Sequence, residues 1–153
     1  MSDKQNVQRA RADYPNQNKT RQDFQNNRTP HVELTKENYV TEAENVIREL
    51  RQGYYKLTTS KIRKLLALVS DLYNDVKRER SDRLNADWVG RIQYVRMHIA
   101  YEAGRDPVVK EFAEKAHLLD LINQIGTDKE KLIIFCHYME ALVAYHRFYG
   151  GKD

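Results

Sequence analysis

The sequence predicts an all-α protein, a compact bundle of about five helices behind a disordered N-terminal arm. Three observations predict it. From Thr35 onward, apolar residues recur at steps of three and four, the period of amphipathic helices. No segment alternates apolar and polar residues as a half-buried strand does. Between the periodic stretches stand capping residues, glycines and a proline in the order that starts and stops helices.

The elements follow in order. Thr35 is placed to cap a first helix with Tyr39, Ala43, Val46, Ile47 and Leu50 on its apolar face, ended by Gly53. Thr58, Thr59 and Ser60 offer caps for a second, whose buried face is Ile62, Leu65, Leu66, Val69, Leu72, Tyr73 and Val76. The polar run 77–82 contains a turn, and a third helix spans about Asn85 to Ala103 with Gly104 as its stop. Asp106-Pro107 is a cap followed by a first-turn proline, so a fourth helix begins there and runs to Gly126. Its buried face is marked by Val108 or Val109, Phe112, Ala116, Leu119 and Ile122. Thr127 to Glu130 reads as a capping box for a last helix of about Asp128 to Tyr149. That helix is apolar nearly all round, which places it at the centre of the bundle or partly under another subunit. Glu140 and Arg147 lie on its thin polar strip and are expected to be buried charges held by other elements.

Residues 1–33 read as a basic, polar arm and residues 34–153 as the helical domain. The first 30 residues hold five Gln, five Asn and six Lys/Arg against three Asp, and their few apolar side chains follow no period. Such a segment buries too little surface to offset its ordering entropy. It is either a solvated tail or an arm adding weak, salt-sensitive attraction to nucleic acid. The net charge of +4 permits an anionic partner without demanding one. There is no apolar run long enough for a membrane span and no signal-like start, so a cytoplasmic protein without membrane contact is expected. The single cysteine, Cys136, excludes a disulfide framework and reads as a buried, inert thiol.

Enzyme signatures are absent. Glu114-Lys-Ala-His117 matches one element of a di-metal carboxylate bundle, but such sites need two of these and two more Glu. No catalytic residue, metal ligand or cofactor is therefore expected.

Two groups of residues point to a polyanion. Arg91, Tyr94, His98, Tyr101 and Arg105 fall on one flank of the third helix, beside the apolar row Trp88, Ile92, Val95 and Ile99. Alternating cations and rings suit a phosphate backbone and stacked bases, or equally an amphipathic cover for a helix interface. Tyr101 is expected to pack and His98 to be hydrogen-bonded in the bundle; Tyr94 is open to either role. Arg96 sits across the apolar row. Lys61, Arg63 and Lys64 begin the second helix, after Lys56 in the preceding loop. That helix start also offers backbone N–H groups and hydroxyls as phosphate ligands. The candidate RNA-binding set is thus Lys56, Lys61, Arg63, Lys64, Arg91, Tyr94, Arg96 and Arg105.

Four segments carry a resemblance: Leu34-Thr-Lys-Glu-Asn-Tyr-Val40, Leu57-Thr-Thr-Ser-Lys-Ile-Arg-Lys-Leu-Leu66, Tyr101-Glu-Ala-Gly-Arg-Asp106, and the ending from Tyr138 to Asp153. Over about Leu34 to Asp153 the chain resembles the small subunit of type III-A CRISPR effector (Csm) complexes. The arm is longer, and the stretch from Gln52 to Leu57 shorter, than that family's pattern. The resemblance implies an all-α, non-catalytic protein. Several copies of it would self-associate along the duplex of guide RNA and target RNA, beside the backbone and large subunits, and hold the target strand. It carries that role onto Lys61, Arg63, Lys64 and Arg105. The alternative is a protein–protein packing subunit that touches no RNA.

Overall fold

A computed structural model describes residues 32–153, so the arm reading lies almost wholly outside the described residues. Six α-helices and no strands are found among them: α1 (Tyr39–Arg51), α2 (Thr59–Val76), α3 (Ala86–Arg105), α4 (Pro107–Lys115), α5 (Leu118–Gln124) and α6 (Lys129–Phe148). The chain is anchored before α1, where Val32 and Leu34 pack on the core and the Val32 carbonyl accepts from Gln124 Nε2 at 3.0 Å.

Local chemistry sets the boundaries. Thr35 and Asn38 form a reciprocal box: Asn38 N–H donates to Thr35 Oγ1 at 3.2 Å and Thr35 N–H to Asn38 Oδ1 at 2.7 Å. The predicted Thr35 cap therefore closes a turn whose end, Asn38, opens α1. Thr58 caps α2, Asn85 caps α3, and Asp106 caps α4 with Pro107 in the first turn. The expected Thr127 cap is displaced by one residue. The 127–128 backbone is extended against 82–84, with Leu84 N–H donating to Thr127 O at 2.8 Å, so the Asp128 carboxylate caps Glu130 and Lys131 instead.

The fourth predicted helix is two helices. His117 adopts a left-handed backbone, φ 53°, and breaks the run between α4 and α5. The break re-aims the apolar face, burying Leu118, Leu121 and Ile122 where a continuous helix would have buried Leu119. It also frees a carbonyl, Ala116 O, which accepts from the buried Tyr138 hydroxyl at 3.0 Å. Gly126, at φ 53°, turns the chain toward α6 in a conformation that favours glycine.

The bundle is centred on α6, as the absence of a polar face required. It packs principally on α1 and α2 and touches α5; α3 packs on α4, α5 and α2. Leu132, Phe135, Tyr138, Met139 and Leu142 of α6 are each at most 2% exposed. Burying side chains of this size at about 1.5–3 kcal/mol each is what holds the layers together. Glu140 departs from expectation: it is solvent-exposed, as is Arg147, because α6 keeps one narrow outward strip between α1 and α2. No helix among the described residues is long and apolar enough to cross a membrane.

Candidate nucleic-acid interface

The predicted cations divide among several places. α2 and α3 run antiparallel, so the start of α2 meets the end of α3 along a seam. There Lys61 pairs with Asp106 at 2.7 Å, Lys64 with Glu102 at 3.0 Å, and Arg105 with Glu102 at 3.7 Å. Glu102, 14% exposed, is the hub. A hydrogen bond from Lys61, aided by the Val108 N–H, holds the Asp106 carboxyl below its ordinary value. Arg91 lies at the far end of α3, fourteen residues or about 21 Å along the axis from Arg105. It pairs with Asp75 at 2.8 Å and stacks over Trp88 at 4.7 Å.

The remaining candidates stand apart. Arg63 is exposed, and among the described residues no carboxylate pairs with it. Arg96 donates to Gln93 Oε1 at 3.3 Å on another flank of α3. Lys56 lies over the Tyr54 ring at 4.7 Å. The structure thus joins Lys61, Lys64 and Arg105, and separates Arg91, Arg96, Arg63 and Lys56 from them.

Two expectations about α3 are corrected. Tyr101 does not fill a gap between helices: it is 61% exposed with Arg105 over its ring at 5.7 Å. The turn after α3 carries the chain away on Pro107, leaving nothing to cover it. His98 is half-buried and meets Tyr94 edge-on at 4.5 Å, rather than being hydrogen-bonded within the bundle. Tyr94, also 61% exposed, borders an open groove of about 470 Å³ floored by Leu68, Leu72 and Val95 and widened by Gly90.

The start of α2 is also less open than its sequence implies. Thr59 N–H donates to Lys152 O at 2.8 Å and Lys61 N–H to Thr58 Oγ1 at 3.3 Å. The last residues of the chain occupy part of the space a phosphate would take.

That closure exposes what the sequence reading missed. His146 is fully buried, with the Tyr55 hydroxyl hydrogen-bonded to Nδ1 and Nε2 placed 3.1 Å from Thr59 Oγ1. Burial first, then Arg147 and Arg51, push the imidazole below its ordinary pKa, so it is neutral. Gly151 lies directly on the ring: a Cβ there would stand 2.2 Å from His146 Nε2. Around this knot lie Arg48, Arg51, Arg147, Lys152, Tyr145, Phe148 and Tyr149. Only the polar cap cluster and Gly150-Gly151 hinted at it, since His146 sits at a core position of an otherwise apolar face.

Burial pushes the Cys136 thiol up to about 12, far from a reactive thiolate. His117 sits at the α4–α5 break, and among the described residues no cluster of three His, Cys, Asp or Glu is placed to hold a metal.

Comparison with known proteins covers nearly all of the described residues. A family model described as Csm2 Type III-A matches residues 33–152. A Streptococcus thermophilus protein named CRISPR system Cms protein Csm2 is 50% identical over 123 residues, covering 78% of this chain and 98% of its own. A Mycobacterium tuberculosis protein of the same name is 35% identical over 124 residues, 80% of this chain and 99% of its own. One from Enterococcus italicus is 39% identical over 99 residues, 63% and 71% of the two chains.

Proposed function

The chain belongs to the type III-A Csm2 family, and from that premise we propose that it is a non-catalytic RNA-binding subunit of a Csm ribonucleoprotein. Several copies lie side by side along the guide–target duplex and hold target RNA by its phosphates, with sequence read by the guide alone. Its partners are guide and target RNA, further copies of itself, and the backbone and large subunits, in the cytoplasm.

The observation that supports this best is the convergence of Lys61, Lys64 and Arg105 on the α2–α3 seam. Their carboxylate partners do not disqualify them. Exposed ion pairs contribute about 0–1 kcal/mol each, and the Lys64 side chain is 57% exposed, so a phosphate can take the place of a carboxylate. The test is a complex assembled with Lys61, Arg63 and Lys64 all changed to Gln. Filter binding at several salt concentrations should show weaker target-RNA retention and a salt dependence flattened by about 0.7–0.9 per lost contact. Unchanged retention and slope would show the assignment to be wrong.

One observation favours the packing alternative for part of the surface. Tyr94, Met97 and Tyr101 are exposed in a row on α3, at heptad-like spacing. If that row is a subunit contact, Tyr94→Ala with Tyr101→Ala will reduce co-purification with the other subunits and leave RNA crosslinking of assembled complexes intact.

A further inference from the structure

We propose that the end of the bundle formed by the α1 C-terminus, the 52–58 loop and the α6 C-terminus is a stacking platform for unpaired RNA nucleotides. This extends the RNA-binding reading above and depends on it. It follows from four features of the structure.

The first is exposure. Tyr54 and Phe148 are the most exposed large hydrophobic side chains among the described residues, at 85% and 77%. Tyr54 adjoins Tyr55 in the 52–58 loop and Phe148 follows His146 by two residues on α6; the Tyr55–His146 contact, with ring centroids 5.6 Å apart, joins that loop to that helix end. An aromatic ring left in water next to a rigid base costs hydrophobic free energy that a stacked base recovers.

The second is support. Phe148 stands edge-to-face against Tyr149 at 5.1 Å and Tyr145 at 6.4 Å, an arrangement that fixes its plane. Tyr149 is tied in turn to Glu44 by a 2.6 Å hydrogen bond. A ring held by its neighbours loses little entropy when a base lands on it.

The third is charge. Arg48, Arg51, Lys56 and Lys152 have no ion-pair partner among the described residues, in contrast to the seam cations. Glu44 accepts from the Tyr149 hydroxyl, and Asp153 pairs with Arg147 at 3.3 Å. The fourth is geometry between these groups. Arg51 lies over Tyr55 at 5.2 Å and Lys56 over Tyr54 at 4.7 Å, so two rings at this end carry a cation. Rings that accept bases, next to cations that accept phosphates, are the components of a sequence-tolerant single-strand site. A protein partner would need acidic groups to match the same cations.

The test uses the full chain and a labelled single-stranded RNA of mixed sequence, read by anisotropy across a salt series, with the same RNA in duplex form as control. Phe148→Leu should weaken single-strand binding about tenfold without changing the salt slope, because stacking releases no counterions. Phe148→Trp should restore it. Arg51→Gln with Lys56→Gln should flatten the slope by about 1.4, the value for two phosphate contacts on a single strand. No binding by the unmodified chain at the lowest salt, or unchanged affinity for Phe148→Leu, overturns the platform. So does a Phe148→Leu variant that loses co-purification with other subunits but keeps its RNA affinity, which would mark a protein interface. The Lys61/Arg63/Lys64 variant in the assembled complex reads the parent proposal separately. If it weakens retention while Phe148→Leu is silent, only the platform falls.

Discussion

At the α2–α3 seam, Lys61, Lys64, Arg91 and Arg105 each face a carboxylate; at the α1–α6 end, Arg48, Arg51, Lys56 and Lys152 face aromatic rings or solvent. Both regions look alike as lists of residue types. They differ in field. A cation beside Glu102 or Asp106 projects little potential beyond its partner, whereas unpaired cations sum over a Debye length of about 8 Å. The comparison teaches that the acids around a basic residue, more than the residue itself, decide what its surface attracts. Under the proposed function it also separates two tasks: the seam would exchange one anion for another, and the end would attract one from solution.

The largest effect should come from the knot beneath the α1–α6 end. His146→Ala leaves the Tyr55 hydroxyl and Thr59 Oγ1 without their partner and opens a cavity, so urea unfolding should show a loss of about 3 kcal/mol. A seam variant such as Lys64→Gln should stay within about 0.5 kcal/mol of wild type in the same assay. Equal losses in the two would erase the distinction between a built end and an exchangeable seam.

Next is Gly151→Ala. The added Cβ collides with the imidazole, and the chain must move away at a cost of about 1–3 kcal/mol. Hydrogen exchange at the Thr59 amide should quicken, because its acceptor is Lys152 O. A protected Thr59 amide in that variant would mean the tail does not cap α2.

A smaller change sharpens the seam. Glu102→Gln removes the hub acid and frees Lys64 and Arg105, which should tighten target-RNA retention in the assembled complex by up to about fivefold. If retention is unchanged, these cations do not touch RNA, and the unpaired end gains the whole role.

The smallest effect is a pH dependence. Burial depresses the His146 pKa, so the unfolded chain binds a proton that the folded one refuses. Stability is therefore full above the ordinary imidazole value and is lost as pH falls from there toward the folded value. Arg147 and Arg51 add to the depression and Asp153 opposes it. Melting temperatures of wild type and His146→Gln, compared from pH 7.5 to pH 5.5, should converge as the pH drops. Parallel curves would contradict a neutral buried imidazole.

Most of the fold was legible because its determinants are local. The caps at Thr58, Asn85 and Asp106 act within three residues of themselves, and the apolar periods report burial directly. What escaped was decided by partners far away in sequence. The break at His117 is supported by Tyr138, whose hydroxyl donates to Ala116 O twenty-two residues back, and the Thr127 cap was lost to pairing with 82–84. The candidate site was read less well for the same reason. Lys61, Arg63 and Lys64 are plain as cations, but Asp106 and Glu102 lie a helix away. Tyr101 and Phe148 fit a packing period equally well whether or not a neighbour covers them. His146 escaped because its partners, Tyr55 and Thr59, lie far from it in the chain.

The joining of α1 to α6 has a consequence in time. Tyr55 meets a histidine 91 residues later and Glu44 a tyrosine 105 residues later. On the ribosome, α1 is finished when α6 is still unmade. At about 5–20 residues per second, the 78 residues from Arg51 to Lys129 take roughly 4–16 s to synthesise. Throughout that interval Ala43, Val46, Ile47 and Leu50 have no α6 to cover them. A prematurely released chain carries that apolar face uncovered, so pauses or truncations in the second half of translation are where this subunit is most open to chaperones, proteases and aggregation.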